Sequence, residues 1–406
     1  MKKAIIGICT LLIIIPSFSY SSLPINGANI DSILVTTLLD IADSPFTTGR
    51  GTITNLPGDD GLVSLREAII AINNTNGPQT IRFADTLKNG TIFIQTPLPD
   101  ITDDGTIING DINGDTIPDV SLKGTNSFPG ITISASNVNI VALILDSFNI
   151  GIELDIKKRS DINNVIVQNN TIHKCLLRGF DVNFSNISNR VIQGINISNN
   201  TFTENELMGV SVCAGAGSEA SNNKIYDVIL SNNQFTGGFI AIFAVGAVLN
   251  GTSNILTDID IVNNQISDYQ SSGILIGAGG GGAGTQNNIA ANVDIQDNTI
   301  TGVEAAIELV AGSSPPAPPW NLPAGRSLGQ SGNNIENVSI TGNNIHHNAG
   351  GIWVVGAYGD VNYPEIPVVN NTVSGVTISN NIIANNKSPG IFINASSLSS
   401  ENSIKN

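Results

Sequence analysis

The sharpest chemical pattern in the chain is the nine-residue run Asp111-Ile112-Asn113-Gly114-Asp115-Thr116-Ile117-Pro118-Asp119. Side-chain oxygens fall at its first, third, fifth and ninth positions, on Asp111, Asn113, Asp115 and Asp119. The Ile117 carbonyl is available at the seventh. Such spacing wraps a loop around a hard cation, and calcium takes oxygen ligands of this kind. The ion would be structural rather than catalytic. The competing reading is a polar Asn-Gly turn with solvated carboxylates.

Two further groups acquire chemistry only if distant segments stack. Asp227, Asp258 and Asn292 stand six residues before Asn233, Asn264 and Asn298, and Asp260 and Asp294 stand four before. In strands stacked about 4.8 Å apart, Asp260 would neighbour Asp294, and Asp227 would neighbour Asp258, on an outward face. Retaining glycosidases hold two carboxyls about 5–5.5 Å apart. Asp260 and Asp294 are therefore the candidate catalytic pair, and Asp227 and Asp258 candidate ligand-binding residues. The same carboxylates could hold a cation that binds an acidic sugar, or simply be solvated. A second outward row reads Ser211, Phe243, Leu275, Glu308, Trp353 and Phe392. It is either a sugar-stacking platform, with Trp353 as its ligand-binding residue, or the seat of a long loop. The insertion at 315–320 is long enough to be that loop.

Stacking is what the rest of the sequence demands. Seven asparagines, Asn170, Asn200, Asn233, Asn264, Asn298, Asn343 and Asn381, anchor one repeated phrase. Apolar residues stand five before, three before and two after each anchor, as in Ile259, Ile261 and Ile266 around Asn264. Spacing of two is a strand signal. A second strand follows, starting near Gly179, Gly209, Ala241, Gly273, Ala306, Gly351 and Gly390. The intervals between anchors are 30, 33, 31, 34, 45 and 38 residues, and the variable stretches hold Gly, Asn, Ser and Pro rather than a helix. A propeller blade would tolerate such variation poorly. A coil of parallel strands tolerates it well, because turns absorb insertions. The asparagine column predicts a bend with left-handed backbone and an amide ladder that satisfies inward polar groups. Val138, Ile140 and Leu145 keep the spacing around Leu143, so the coil begins at or before residue 131.

Lys2 and Lys3, an apolar run from Ala4 to Ile15 and small residues to Ser21 form a secretory signal peptide, residues 1–21. The expected organisation is a cap with first rungs over 22–130 and coil repeats over 131–406. Ser64 and Glu67 make a capping box for a helix at about 64–74, with Leu65, Ala68, Ile69 and Ile72 on one face. Such a helix would cover the apolar first rung. The run Val63-Ser64-Leu65-Arg66-Glu67-Ala68-Ile69 resembles the CSLREA motif at the N-terminus of secreted bacterial right-handed β-helix proteins. The flanking segments 33–40, 80–87 and 91–102 agree with it. Val63 stands where that family has Cys, so no thiol role carries over. The later rungs look like the pectate-lyase-like superfamily, which implies an all-β right-handed parallel β-helix. The loop at Asp111 is similar to short calcium loops of extracellular repeat domains, and departs from an EF-hand at Thr116 and Leu122.

A net charge of −16 argues against nucleic acid or an anionic membrane as partner. No other long apolar run suggests membrane insertion. Oligomeric state stays open, as does a disulfide between Cys175 and Cys213. His173 and His346 lie five rungs apart and read as exposed loop histidines, and Gly279–Gly282 leads into no helix, so it is no phosphate loop. Ser399–Asn406 reads like the start of another rung, so a partner or further chain would cover that end. The superfamily implies a lyase, hydrolase or epimerase of an acidic glycan. The chain lacks the Gly-His-Gly of polygalacturonases and the Asp-Pro-His-Glu of alginate epimerases, and its only Lys or Arg residues between Val191 and Pro389 are Lys224, Arg326 and Lys387. The reading that follows is a secreted or cell-surface module binding glycan or protein along its length, without chemistry of its own.

Overall fold

The computed structural model describes residues 31–159, 161–279, 284–313, 330–358, 368–395 and 402–405. The expected signal segment 1–21, residues 280–282 of the glycine run and the insertion at 315–320 lie outside the described residues.

The chain is a right-handed parallel β-helix. From Ile107 onward each turn lays down three strands, and each joins its own parallel sheet along the coil. The first sheet takes the strand before each anchor, as in Ile255–Val262. The second takes the strand after it, Gln265–Tyr269, and the third the strand beyond, Ser272–Gly279. A strand thus reaches its parallel partner by way of the other two sheets, with the handedness that twisted strands favour. Register holds from turn to turn: Val228 faces Ile259, which faces Val293. The coil starts well before residue 131, since Asp31–Val35 already pairs with Gln79–Phe83.

The three apolar columns point inward and are buried through Ile345. A fourth inward column, eight before the anchor, was not anticipated: Ile192, Ile225, Leu256, Ala290 and Ile335 are all buried. Strict alternation cannot place residues eight and five before an anchor on one face. A left-handed residue between them, such as Asp258 with φ of 57°, resets the phase.

The asparagine column is a ladder. Asn233 Nδ2 donates to Asn264 Oδ1 at 3.0 Å, and Asn264 Nδ2 donates to Asn298 Oδ1 at 3.0 Å. Each amide oxygen also accepts the backbone N–H of the preceding anchor, as from Asn233 to Asn264 at 2.9 Å. The left-handed bend sits one residue earlier than expected, on Asn169, Asn199, Asn232, Asn263, Asp297, Gly342 and Asn380, with φ from 55° to 69°. Bend and ladder therefore use two residues, and the first is Asn, Asp or Gly. A second ladder, through Asn223, Asn254, Asn288, Asn333, Asn371 and Asn402, runs at the corner between the third and first sheets.

The helix spans Leu65–Asn73. Ser64 Oγ accepts the Glu67 N–H at 3.1 Å, and Glu67 Oε2 accepts the Ser64 N–H at 2.8 Å. Leu65, Ala68, Ile69 and Ile72 are buried in the same core as Ile81 and Ile108. Arg66 clips the helix to Asp40 at 2.7 Å and to the Thr96 and Pro97 carbonyls. Toward the other end Val376, Ile378 and Ile383 are only half-buried, and Ser403–Lys405 pairs with Thr372–Ser374 to open another rung.

Candidate functional site

The acidic residues of the first sheet fall into two kinds. Asn164, Gly194, Asp227, Asp258, Asn292, Asn337 and Gly375 occupy one column, all with left-handed φ from 53° to 73°. Gly, Asn and Asp are the residues that tolerate this angle. Their side chains tie rung to rung. Gln193 Nε2 donates to Asp227 Oδ2 at 2.8 Å, and Asn292 Nδ2 donates to Asp258 Oδ1 at 3.0 Å. The backbone bend thus accounts for Asp227 and Asp258 without a ligand. Asp260 and Asp294 are different. They are register partners on neighbouring strands, exposed and extended. Although exposed at its surface, the Asp260 carboxyl is raised above its ordinary range by partial desolvation against the sheet, and repulsion from Asp294, Asp258 and Asp227 adds to this. Two such carboxyls can divide acid and base roles, or share a cation.

The loop at Asp111 is drawn tight by hydrogen bonds. Asp111 Oδ1 accepts from Gly114 and Asp115 N–H at 2.7 and 3.2 Å, and Oδ2 from Thr116 N–H at 2.9 Å. Thr116 takes φ of 67°, the angle a glycine would supply. Asp115 lies below the usual carboxylate range, held there by the Ile117 N–H and the Asn113 amide. Asp119 turns away: Oδ2 accepts the Ile112 N–H at 2.9 Å, and the Lys88 ammonium stands 3.4 Å from Oδ1. Among the described residues no three acidic, histidine or cysteine side chains gather as a metal group. The Asp111 and Asp115 oxygens are engaged by loop N–H groups and by the Asn113 amide, so an ion would have to compete with these bonds. At Asp119, Lys88 already supplies positive charge.

In the third sheet the outward row is in register from Ser211 through Phe243, Leu275, Glu308 and Trp353 to Phe392. Its burial differs from rung to rung. Ser211 and Phe243 are buried, and Phe243 packs with Met208, Ile240, Val245 and Val248 in a small apolar cluster outside the coil. Trp353 is only half-buried, and Phe392, 6.2 Å away in T-shaped contact, is 38 % exposed. The indole lies against Gly350, where a Cβ would come within 2.5 Å of its Nε1. The row also extends three rungs further than the sequence suggested, to Asp181, Glu153 and Thr132. Asp181 is buried and held by Arg178 at 2.9 Å. Its signal was present, since Asp181 follows Gly179 as Ser211 follows Gly209.

Cys175 and Cys213 are free and buried, and burial pushes both thiols up to about 12, so neither is a nucleophile near neutral pH. His173 is not a loop residue. It lies on the strand Thr171–His173, with Nε2 3.6 Å from Asp146 Oδ1. No helix among the described residues is long and apolar enough to cross a membrane.

No protein-family model and no curated protein matches the chain. Among solved structures it is similar to the A-module of mannuronan C-5 epimerase AlgE6 from Azotobacter vinelandii, at 15 % identity and a TM-score of 0.36, covering 85 % of this chain and 96 % of that one. It is similar to ORF18 of Geobacillus virus E2 at 11 % identity and 0.35, covering 90 % and 60 %. It is also similar to pectate lyase Pel9A at 13 % and 0.25, covering 87 % and 79 %. Superpositions this loose do not bear on chemistry.

Proposed function

We propose that this protein is a secreted or cell-surface β-helix that binds polysaccharide along its outer surface, with Trp353 as an anchor. The observation that carries this is the half-buried indole seated on Gly350 beside Phe392, in a row whose side chains are buried only from Asp181 to Phe243. An aromatic face fixed by a glycine beneath it loses little entropy when a sugar ring stacks on it. The rungs around it continue the surface on rigid strands rather than on loops. Trp353→Ala should weaken retention of the protein on an immobilised glycan at least tenfold while the melting temperature stays within a few degrees. Unchanged retention would move the anchor elsewhere.

A second reading is glycosidic chemistry on an acidic glycan at Asp260 and Asp294. It is favoured by their register pairing and by the raised Asp260 carboxyl. With a net charge of −16, an acidic chain would need a bridging cation to approach. Release of reducing ends or of unsaturated uronates from polygalacturonate or alginate, abolished by Asp260→Asn, would establish this reading.

A calcium ion in the Asp111 loop would serve either reading as a structural brace. It would be held by Asp111, Asn113, Asp115 and the Ile117 carbonyl, with Asp119 recruited only if Lys88 moves off.

A further inference from the structure

The outer face of the second sheet carries two columns, one and three residues after each anchor. They stay in register through the middle of the coil. One column runs Thr203, Thr236, Ser267, Thr301, and beside it run Thr201, Gln234, Gln265, Thr299. None of these eight side chains is buried. Each rung repeats at about 4.8 Å, close to the rise of one hexose in an extended chain. Hydroxyls and carboxamides both donate and accept, so every step offers what a sugar hydroxyl needs. The Thr236 and Ser267 hydroxyls already stand 3.3 Å apart across one step.

Toward the N-terminus the same column continues through His173, Asp146 and Lys123 to Phe93. Phe93 is 60 % exposed, an aromatic face left open to solvent. Asp146 is the one carboxylate in the two columns, and it is neutralised in place. Lys123 Nζ lies 2.6 Å from its Oδ2, and the Ser147 hydroxyl donates to Oδ1 at 2.6 Å. The two columns are therefore close to neutral on a chain of net charge −16, with Glu204 and Asp268 at their border, whereas the first sheet presents Asp227, Asp258, Asp260 and Asp294.

That contrast selects the occupant. An anionic polymer meets the field of the surrounding carboxylates. A protein partner would use buried aromatic or arginine anchors, and the eight positions hold none. A neutral polyol chain needs a flat row of neutral donors and acceptors with an aromatic platform, which is what the strip offers. We infer that the outer face of the second sheet is a binding strip for an extended neutral polysaccharide, with Phe93 stacking on a sugar at one end. This rests on the glycan-binding reading, and adds a second face and the charge class of the glycan.

The test is affinity electrophoresis of the full chain in native gels containing mixed-linkage β-glucan, arabinoxylan or polygalacturonate. Thr203→Val, Thr236→Val and Thr301→Val together remove hydroxyls while keeping β-branched side chains in the strands. The expected result is retardation by a neutral glycan, weakened at least tenfold in the triple variant and several-fold in Phe93→Ala, with melting temperatures unchanged. Retardation equal in the triple variant and the wild type would overturn the strip. So would retardation by polygalacturonate alone. Loss in Trp353→Ala with the triple variant unaffected would leave the Trp353 reading standing without the strip. Absence of retardation in all three gels would remove both.

Discussion

Asn264→Ala tests the ladder at mid-coil, where its cost can be worked from individual bonds. The Asn264 side chain takes part in four. Its Oδ1 accepts the Asn233 N–H at 2.9 Å and the Asn233 amide at 3.0 Å. Its Nδ2 donates to the Leu230 carbonyl at 2.8 Å and to Asn298 Oδ1 at 3.0 Å. Asn298 Oδ1 keeps the Asn264 N–H, and Asn233 Nδ2 keeps the Ile197 carbonyl. The substitution therefore strands the Asn233 N–H, half of the Asn233 amide and one lone pair of Leu230, all at a fully buried corner. At about 1–3 kcal/mol for each stranded group, and allowing for the shared bonds, the loss is about 3–5 kcal/mol. Asn263, next to it, has φ of 57° and serves only the bend. Asn263→Gly should be near neutral, and Asn263→Ala should cost about 1–2 kcal/mol. The assay is denaturant unfolding followed by tryptophan fluorescence and circular dichroism, with unfolding rates substituted if refolding fails. If Asn264→Ala costs less than Asn263→Ala, the asparagines are turn residues and no ladder stabilises the coil.

At the cap, Ser64→Ala should cost about 1 kcal/mol, the usual loss of an N-cap, and Leu65→Asp should cost more, because Leu65 is fully buried; soluble, unchanged Leu65→Asp protein would show that the helix covers nothing. Calcium should raise the melting temperature by mass action on the folded state. Asp115→Ala should abolish that response, and Lys88→Met, by freeing Asp119, should enlarge it; a response that survives Asp115→Ala but not Asp260→Ala would move the ion to the first sheet. Burial and the neighbouring Asp104 push the Asp103 carboxyl up to about 6, against the pull of Arg159. A raised carboxyl contributes stability that is complete below its ordinary pKa of 3.8 and is lost as pH rises through about 6. Asp103→Asn should therefore flatten the stability profile across that window and leave the variant more stable than wild type at pH 7; an unchanged profile would refute it.

The inward columns and first ladder were readable because each is set by an offset from one invariant residue. The second ladder was not, because the variable insertions sit just before it and scramble the count. Its trace in the sequence is the pairs Asn222-Asn223, Asn287-Asn288 and Asn370-Asn371. The bend column hid a backbone requirement behind side-chain chemistry: Asp227 and Asp258 look like ligands until Gly194 and Gly375 appear at the same position with the same φ. His173 and Asp146 are 27 residues apart, across the one rung whose anchor is Leu143, so no count from an asparagine joined them. Trp353 could be placed in its row from sequence, but which rungs of that row stay open depends on how the neighbouring turns pack.

The ladders also give the coil an electrical direction. Each carboxamide oxygen faces the rung before it and each amide nitrogen reaches the rung after, as Asn233, Asn264 and Asn298 show. Backbone dipoles in a sheet largely cancel, but these side-chain dipoles all point one way, and aligned dipoles in a chain polarise one another. Two such columns make the β-helix a polarised rod, negative toward the capping helix and positive toward the last rungs, as an α-helix is polarised by its peptides. Removing a central amide divides a column into two shorter ones, so substitutions at Asn233 and Asn298 should couple through Asn264 although the two side chains never touch.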